Sequence, residues 1–342
     1  MFEPNRPSRE GRNGSCSEAL KLKGVQVTAA ARLHLGFLDL AGDLGRRFGS
    51  IGLAIDAFKT RVEIREAREL EVLGQERERS LRVARRILES LGRDARGELI
   101  VSDAIPPHAG LGSGTQLALA IAAAFRRLEG LPLDPREDAR LLDRGARSGV
   151  GVALFERGGL AVDAGRGAKT EVPPVVAQMS FPRDWRILLI LDPRVEGAHG
   201  EAEGRAFARL PPFPASAASE ICRRTLMQIL AGAAEHDLEA FGDGVASIQD
   251  IVGDHFAEVQ GGGRFLSAAV ARAAARLKAL GARGIGQSSW GPTGFAFASD
   301  LTHAEFLARE ARPDCEPGIE IRICKARERG AEIREEEDVS VQ

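Results

Sequence analysis

The sequence predicts an α+β protein built from two domains. Short alternating segments typical of strands are interleaved with longer helical segments in both halves of the chain. A stretch of loop composition at 165–174 separates the halves, and 342 residues are enough to bury two cores. We therefore predict a disordered tail at 1–21, an N-terminal domain at 22–170, a C-terminal domain at 171–326 and a charged tail at 327–342.

Charge and cysteine content narrow the class of protein. The net charge of −2 provides no global basic field for nucleic acid or an anionic membrane, so we expect neither partner. The four cysteines lie far apart without a Cys-x-x-Cys pair, which argues against a zinc module or a disulfide framework. No apolar run is long enough to span a membrane, and residues 1–23 lack the apolar stretch of a signal peptide. These features predict a soluble cytoplasmic protein.

The first half starts with a strand near residue 22 that breaks and resumes around 29–31. The glycine-rich stretch at 42–52 is either a hairpin or a mobile active-site loop, and the sequence leaves both open. The remaining elements predicted for this half are a strand at 57–66, a helix at 77–91, a strand at 97–102, a helix ending near 129, a helix at 134–143 and a turn and strand at 156–163.

The second half begins with a buried strand that ends at an Asp-Pro pair. Helical periodicity dominates the rest of this half, with two strands near its end. Its predicted elements are a strand at 186–191, helices at 216–234, at 237–259 and from about 264, a strand at 295–298, a helix at 301–311 and a strand at 319–324.

A glycine-rich loop joins the strand at 97–102 to the helix after it. Glycines let the backbone approach a ligand closely, and the first turn of a helix offers unpaired N–H groups to an anion. The loop lacks the Lys-Ser/Thr pair of a P-loop. The alternative is a turn that only caps a core helix, but its glycine and hydroxyl content favours a phosphate site. The predicted phosphate-binding residues are Gly110, Gly112, Ser113, Gly114, Thr115 and Gln116.

Polar residues lie among apolar ones in the first strand, namely Arg32, His34 and Asp39. Such alternation is ordinary on a half-buried strand, and a histidine in it is often a structural residue with a satisfied hydrogen bond. A second glycine loop, at 144–151, carries Arg144, Arg147 and Ser148, whose guanidinium and hydroxyl groups suit phosphate or carboxylate. A solvated loop is the alternative there. A third glycine-rich turn occupies 284–294.

These three turns, in this order, resemble those of the GHMP kinase superfamily. The kinase motif Pro-x-x-x-Gly-Leu-Gly-Ser-Ser-Ala is similar to residues 107–116 here. The resemblance implies a ribosomal-protein-S5-type N-terminal domain and a ferredoxin-like C-terminal domain with the site between them. Many of these kinases carry Gly-Val-Asp after the second loop, and the aspartate is the base for the acceptor hydroxyl. Here that run is Gly149-Val150-Gly151, and Gly114 replaces the second serine, so the resemblance implies a reaction other than phosphoryl transfer.

Four blocks, at 32–39, 108–116, 148–151 and 286–293, resemble the β-ribofuranosylaminobenzene 5′-phosphate synthase family of methanopterin biosynthesis. This family joins phosphoribosyl pyrophosphate to 4-hydroxybenzoate or 4-aminobenzoate, releases CO2 and pyrophosphate, and uses magnesium. The resemblance implies the same partners here, with the hydroxyl groups of the central loop as candidate magnesium ligands (Ser113, Thr115). We also expect a homodimer.

The resemblance assigns catalytic roles to His34, Asp39 and Arg32. His34 or His108 would lie near the hydroxyl of a phenolic acceptor, and Asp39 would orient His34 or hold the metal. Donor and acceptor would contact residues from all three turns. Those outside the central loop are Arg144, Arg147, Ser148, Gln287, Ser288, Ser289 and Trp290.

Two other functions are compatible with the sequence. An ATP-dependent small-molecule kinase would need another carboxylate to replace the aspartate that position 151 lacks. A ligand-binding sensor without activity would bind a nucleotide or sugar phosphate and not turn it over.

Overall fold

A computed structural model describes residues 22–197, 204 and 208–337. The tail predicted at 1–21 therefore lies outside the described residues. The elements of the first half, in chain order, are β1 (Leu22–Asp39), β2 (Arg46–Arg65), β3 (Leu70–Gly74), α1 (Arg77–Ser90), β4 (Gly97–Asp103), α2 (Ser113–Leu128), α3 (Pro135–Leu141), α4 (Val150–Arg157), β5 (Leu160–Asp163), β6 (Arg166–Gly167) and β7 (Val175–Met179).

The second half alternates helices and strands. Its elements are β8 (Arg186–Leu191), α5 (Ala215–Arg224), a π-helical segment (Thr225–Leu230), α6 (Ala231–Glu235), α7 (Leu238–Phe256), a 3-10 turn (Ala257–Gln260), α8 (Ala268–Ala279), β9 (Arg283–Gln287), β10 (Gly294–Ala298), α9 (Leu301–Ala311), a second 3-10 turn (Arg312–Asp314), β11 (Glu320–Cys324) and β12 (Glu332–Glu337).

Two long antiparallel strands, β1 and β2, form the centre of the first sheet. The strand order is β12-β1-β2-β4-β3, and β5 pairs with both β2 and β7. The register of β1 against β2 shifts between Ala30 and Ala31, where the sequence predicts a broken strand. The extra residues at this point, 56–58, belong to β2, and β1 runs through 29–31 as one strand without the predicted break. Helices α1 and α2 cover one face of the sheet and bury side chains such as Ile87 and Phe125 against it.

The second sheet is antiparallel, with the order β11-β8-β10-β9. Helices α8 and α9 pack on one of its faces through residues such as Val270 and Leu307. The other face shares a hydrophobic cluster with the first sheet, to which β1 contributes Leu33, α7 contributes Phe241 and β10 contributes Phe295. The α+β architecture predicted from the sequence is confirmed, and the two halves are joined through a common core.

The glycine-rich stretch at 42–52 forms the hairpin, one of its two predicted alternatives, since β1 ends at Asp39 and β2 starts at Arg46. Other local predictions differ from the structure. The sequence analysis missed α4. The third helix of the second half begins at Ala268 and not at 264, because the Ser267 side chain accepts a hydrogen bond from the Val270 N–H and so caps it there.

Two strands change the outline of the domains. The strand β7 pairs with β5, so the first sheet extends past residue 170. The strand β12, which lies in the predicted charged tail, pairs antiparallel with β1 and forms an edge of the first sheet. In the part of the chain that the structure describes, no helix is both long and apolar enough to cross a membrane.

Candidate active site

The N-terminus of α2 opens into a cleft of about 210 Å³. The helix is an Ala- and Leu-rich segment that is buried from Gln116 to Arg126, so its first turn is fixed in position by the core. Gly112 precedes the helix with φ 81°, a left-handed conformation that favours glycine. The described residues that line the cleft are Arg32, His108, Gly110, Gly112, Ser113, Gly114, Thr115, Arg144, Ser289, Trp290 and Gly291.

A hydrogen-bond junction holds the central loop against both halves of the molecule. The carbonyl oxygen of Gly110 accepts one hydrogen bond from Arg32 Nη1 (2.9 Å) and one from Ser288 Oγ (2.8 Å). The Ser288 hydroxyl oxygen in turn accepts the backbone N–H of His34 at 3.0 Å. A Cβ at Gly110 would overlap the Ser288 carbonyl oxygen. The cleft therefore lies where β1, the central loop and the turn after β9 meet.

Arginine side chains surround the first turn of α2. Arg32 packs across Gly112, 2.9 Å from the position that a Cβ there would take. Arg144 Nη1 and Arg79 Nη2 both lie within 3.6 Å of the corresponding position at Gly114. None of the described residues that line the cleft is an aspartate or a glutamate. The helix N-terminus and these guanidinium groups together make a site for a multiply charged anion.

The surroundings of Arg144 disfavour its positive charge. Burial and the neighbouring guanidinium of Arg79 lower its pKa from the ordinary value of arginine. Its Nε is buried and has no hydrogen-bond partner among the described residues. The nearby carboxylate of Asp143 is exposed and pairs with Arg86 at 2.5 Å. An anionic ligand would satisfy this donor and reduce the repulsion between the guanidinium groups.

Gly151, where the kinase motif has its aspartate, lies in the first turn of α4 and faces α2. A Cβ at this position would lie 3.1 Å from Cγ2 of Thr115. The methyl group of Thr115 therefore takes up the space beside Gly151. Among the described residues that line the cleft, no aspartate or glutamate takes the place of the missing base.

The buried carboxylate of Asp163 organises the second glycine loop. Its Oδ2 accepts the Gly149 N–H at 2.9 Å and the Ser148 hydroxyl at 3.2 Å, and Oδ1 accepts the Gly165 N–H at 2.8 Å. Burial raises the pKa of Asp163 to about 6, although these hydrogen bonds oppose the change. Ser148, predicted to bind substrate, thus donates its hydroxyl to Asp163. Asp163 lies at the end of β5 and caps the start of α4 by accepting the Gly149 N–H.

His34 lies beside the cleft, in a separate small cavity. This cavity measures about 30 Å³, room for one or two water molecules, and shares Ser289 and Trp290 with the cleft. His34 is buried and its ring contacts that of Phe37 in a tilted arrangement, with centroids 4.6 Å apart. Burial, helped by the positive charge of Arg32, lowers the pKa of His34 to about 3. The imidazole is therefore neutral at physiological pH.

The other predicted site residues are spread more widely. Asp39 Oδ1 accepts the N–H groups of Ala41 and Gly42 at the β1–β2 turn, and Asp39 lines neither cavity. Arg147 is half-buried and is not among the residues that line the cleft. Neither side chain is among the described residues that line the cleft, and their predicted roles stay predictions.

At the end of β9 and in the turn after it, some of the predicted residues line the cleft and others hold neighbouring segments together. The Gln287 side chain accepts the Leu266 N–H at 2.6 Å and donates to Gln260 Oε1 at 2.8 Å, which ties β9 to the neighbouring segments. Gln116 donates to the carbonyl oxygen of Gly151 at 2.9 Å and so joins α2 to α4. Trp290 is buried and packs edge-to-face on Phe256 while lining both cavities.

Two important residues were missed by the sequence analysis. Arg79 lies on a helix whose many arginines look like solvated surface, and only the fold brings it to Gly114. Asp163 ends a short strand where a polar residue is unremarkable. Two non-glycine residues of the cleft, His108 (φ 55°) and Ser289 (φ 56°), also adopt left-handed backbone conformations, which their residue types do not predict. Such conformations concentrate at functional sites.

Comparisons with known proteins agree with this geometry. Residues 78–159 match the model of the GHMP kinase N-terminal domain, and residues 229–315 match that of the GHMP kinase C-terminal domain. Among solved structures, homoserine kinase from Cytophaga hutchinsonii superposes with a TM-score of 0.66 at 19% identity, covering 91% of this chain and 98% of that one. Mevalonate diphosphate decarboxylase from Staphylococcus aureus gives 0.65 at 16% identity, with 92% and 98% covered. These structures share the fold.

Curated relatives identify the family within that fold. The β-ribofuranosylphenol 5′-phosphate synthase of Archaeoglobus fulgidus is 35% identical over 326 residues, covering 90% of this chain and 99% of the relative. The enzyme of the same name from Methanothermobacter thermautotrophicus is 30% identical over 296 residues, covering 80% and 88%. The superfamily and the narrower family predicted from four sequence blocks are both confirmed. The chain belongs to the β-ribofuranosylphenol 5′-phosphate synthase family, a group of transferases built on the GHMP kinase fold.

Proposed function

We propose that this protein transfers the 5-phosphoribosyl group of phosphoribosyl pyrophosphate to 4-hydroxybenzoate, with release of CO2 and pyrophosphate. The names of the relatives specify a ribofuranosylphenol, which favours the hydroxy acid over 4-aminobenzoate as the acceptor. The product would enter methanopterin biosynthesis. A homodimer stays a prediction from the sequence.

The reaction replaces two bonds by one. The bond from ribose C1 to the pyrophosphate oxygen breaks, and pyrophosphate leaves with that electron pair. The ring carbon that bears the carboxylate attacks C1 and forms a carbon–carbon bond. The bond to the carboxylate carbon then breaks, CO2 leaves, and its electron pair restores the aromatic ring. The leaving group needs neutralisation of negative charge, and the acceptor needs orientation.

The observation that carries this proposal is the charge pattern of the cleft. Backbone N–H groups at the start of α2 and the guanidinium groups of Arg32 and Arg144 converge there, and no acidic residue lines its described part. This arrangement stabilises a departing diphosphate. It offers no base for an alcohol at position 151, which a kinase of this fold would use, so the same observation disfavours the kinase alternative.

Neutral His34 suits a positioning role. With a pKa of about 3, its imidazole is a poor proton acceptor but can hydrogen-bond a phenol hydroxyl. The adjoining cavity of about 30 Å³ is too small for an aromatic ring. An acceptor ring in the cleft would therefore reach His34 only if Trp290, which lines both cavities, moved.

Magnesium fits this site as a companion of the donor. The cleft offers hydroxyl oxygens from Ser113 and Thr115 but no carboxylate among its described lining residues. Magnesium in proteins usually combines one or two carboxylates with substrate phosphates and water. We therefore expect the ion to arrive on the pyrophosphate, where it would offset negative charge as the leaving group departs.

Release of labelled CO2 tests the proposed function. Incubating the protein with phosphoribosyl pyrophosphate, magnesium and carboxyl-labelled 4-hydroxybenzoate should release labelled CO2 and an equal amount of pyrophosphate. A chelator should stop the release and leave the melting temperature of the ligand-free protein unchanged, since we expect the ion to bind together with the donor.

Three outcomes would contradict it. Folded protein that releases no label under these conditions contradicts the transferase. Formation of ADP from ATP and a candidate alcohol, without phosphoribosyl pyrophosphate, would instead support the kinase. Binding of the sugar phosphate without either reaction would support the sensor.

A further inference from the structure

Arg79 lies against the one position of the central loop that departs most clearly from the kinase motif. Its Nη2 is so close to the Cα of Gly114 that a Cβ there would overlap it. Nη1 of Arg144 lies 3.6 Å from the same point. The serine of the kinase motif could not occupy position 114 while Arg79 keeps this conformation. Glycine at 114 is therefore what admits a second guanidinium to the start of α2.

The partners of Arg79 leave donors for a ligand. Its recorded acidic contact is Oε2 of Glu76, 3.5 Å from Nη1, which is longer than the 2.7–2.9 Å typical of a charge-assisted hydrogen bond. The Arg79 side chain is about one quarter exposed. Arg79 is not itself among the residues that line the cleft, but its guanidinium lies beside Gly114, which is, and among the described residues its acidic contact is this long one.

The neighbouring charges do not explain why Arg79 and Arg144 converge. Asp143 pairs with Arg86 at 2.5 Å, and Arg144 Nε is buried without a partner among the described residues. Two guanidinium groups placed side by side repel each other unless an anion bridges them. An oxygen-rich anion at the first turn of α2 would contact both and would also meet the free N–H groups of the helix.

We propose that Arg79 is a substrate-binding residue that, with Arg144, binds the diphosphate of the donor beside Gly114, while Arg32 lies beside Gly112. Gly114 is the specificity element that makes room for it. The inference rests on the proposed function for the identity of the donor, but the site itself requires only a diphosphate anion. A magnesium complex of inorganic pyrophosphate is therefore a sufficient probe.

The Arg79→Met variant removes the charge and keeps the length of the side chain. We expect its affinity for magnesium pyrophosphate, measured by calorimetry, to fall about 10-fold or more, as loss of a charge-assisted hydrogen bond predicts. The KM for phosphoribosyl pyrophosphate should rise by a similar factor, and the KM for 4-hydroxybenzoate should change little. Arg85→Met is the matched control, since Arg85 is exposed on the same helix, and should behave as wild type.

Gly114→Ala tests the second half of the inference. Gly114 is helical and has no left-handed φ, and the atom that a Cβ would displace is the end of a flexible side chain, so the fold should tolerate alanine. We expect the same loss of pyrophosphate affinity as in Arg79→Met. The double variant should lose little more than either single one, because both changes remove one interaction.

The outcomes separate this inference from the proposed function. Wild-type affinity in Arg79→Met, with a wild-type melting temperature, overturns the inference and leaves the transferase intact. A lowered melting temperature in Arg79→Met with unchanged pyrophosphate affinity would show a structural role and also overturn it. Arginine-dependent pyrophosphate binding without CO2 release would uphold the inference and contradict the proposed transferase.

Discussion

His34 shows how burial changes the chemistry of a single side chain. A histidine in solution titrates near pH 6.5, whereas burial and the charge of Arg32 lower the pKa of His34 to about 3. Between these two values the unfolded chain binds a proton that the folded protein does not. Folding stability therefore rises with pH across this window and falls as the solution is acidified.

The variant His34→Gln should reduce this acid sensitivity. Below pH 6.5, His34 contributes a loss of up to about 1.4 kcal/mol of folding free energy per pH unit, and glutamine removes that contribution. Denaturant unfolding at pH 4.5, 5.5 and 7 measures the slope for both proteins. Asp163, with its pKa raised to about 6, acts in the opposite direction but is present in both. Equal slopes would contradict the assignment of a neutral, buried His34.

The sequence shows residue types but not their surroundings. The hydroxyls and glycines of the central loop were predicted as a phosphate site because strand, glycine loop and helix form a local unit. Asp39 was grouped with His34 because the two are near in sequence, yet its carboxylate caps the hairpin turn. Arg79 comes to the site across more than thirty residues of chain. Its position depends on helix packing that no local pattern encodes.

At the scale of elements, the junction at Gly110 determines whether the cleft forms. The residue combines φ 78° with a carbonyl that accepts hydrogen bonds from Arg32 and Ser288. A Cβ would overlap the backbone of the turn after β9, which has no flexible end to yield. Gly110, the residue on which the shape of the cleft most depends, therefore also links the two sheets.

The variant Gly110→Ala should lose most activity and about 2–4 kcal/mol of folding stability, because it combines backbone strain with a backbone clash. Gly130→Ala is the control: Gly130 also has a positive φ, of 67°, but nothing lies within 4 Å of its added Cβ. Strain alone should cost about 1 kcal/mol there and leave kinetics unchanged. Comparable losses in both variants would show that the contact with Ser288 contributes nothing.

At the scale of the whole molecule, the two halves of the chain share one hydrophobic core. Residues from β1, α7 and β10 belong to one hydrophobic cluster, and β12 returns from the second half to pair with β1. The sequence predicted two domains from a loop-like composition at 165–174. It could not show that the strongly charged segment after 326 supplies an edge strand. Ile333 is almost the only apolar residue of this segment that packs on the core, and the segment pairs there because β1 has a free edge.

We therefore expect thermal unfolding to occur in one cooperative transition. Calorimetry should give a calorimetric enthalpy equal to the van't Hoff enthalpy, as for a single unit. Addition of magnesium pyrophosphate should shift the whole transition upward, since the anion binds only the folded cleft. Two separate transitions, of which the ligand moves one, would contradict a common core.

The close approach of Thr115 and Gly151 bears on how this scaffold changes its chemistry over evolution. The Cβ of an aspartate introduced at 151 would lie 3.1 Å from the Thr115 methyl, so that side chain would have to shift by a few tenths of an ångström. Installing a kinase base on this scaffold therefore depends on the packing of α4 against α2 as well as on the new carboxylate.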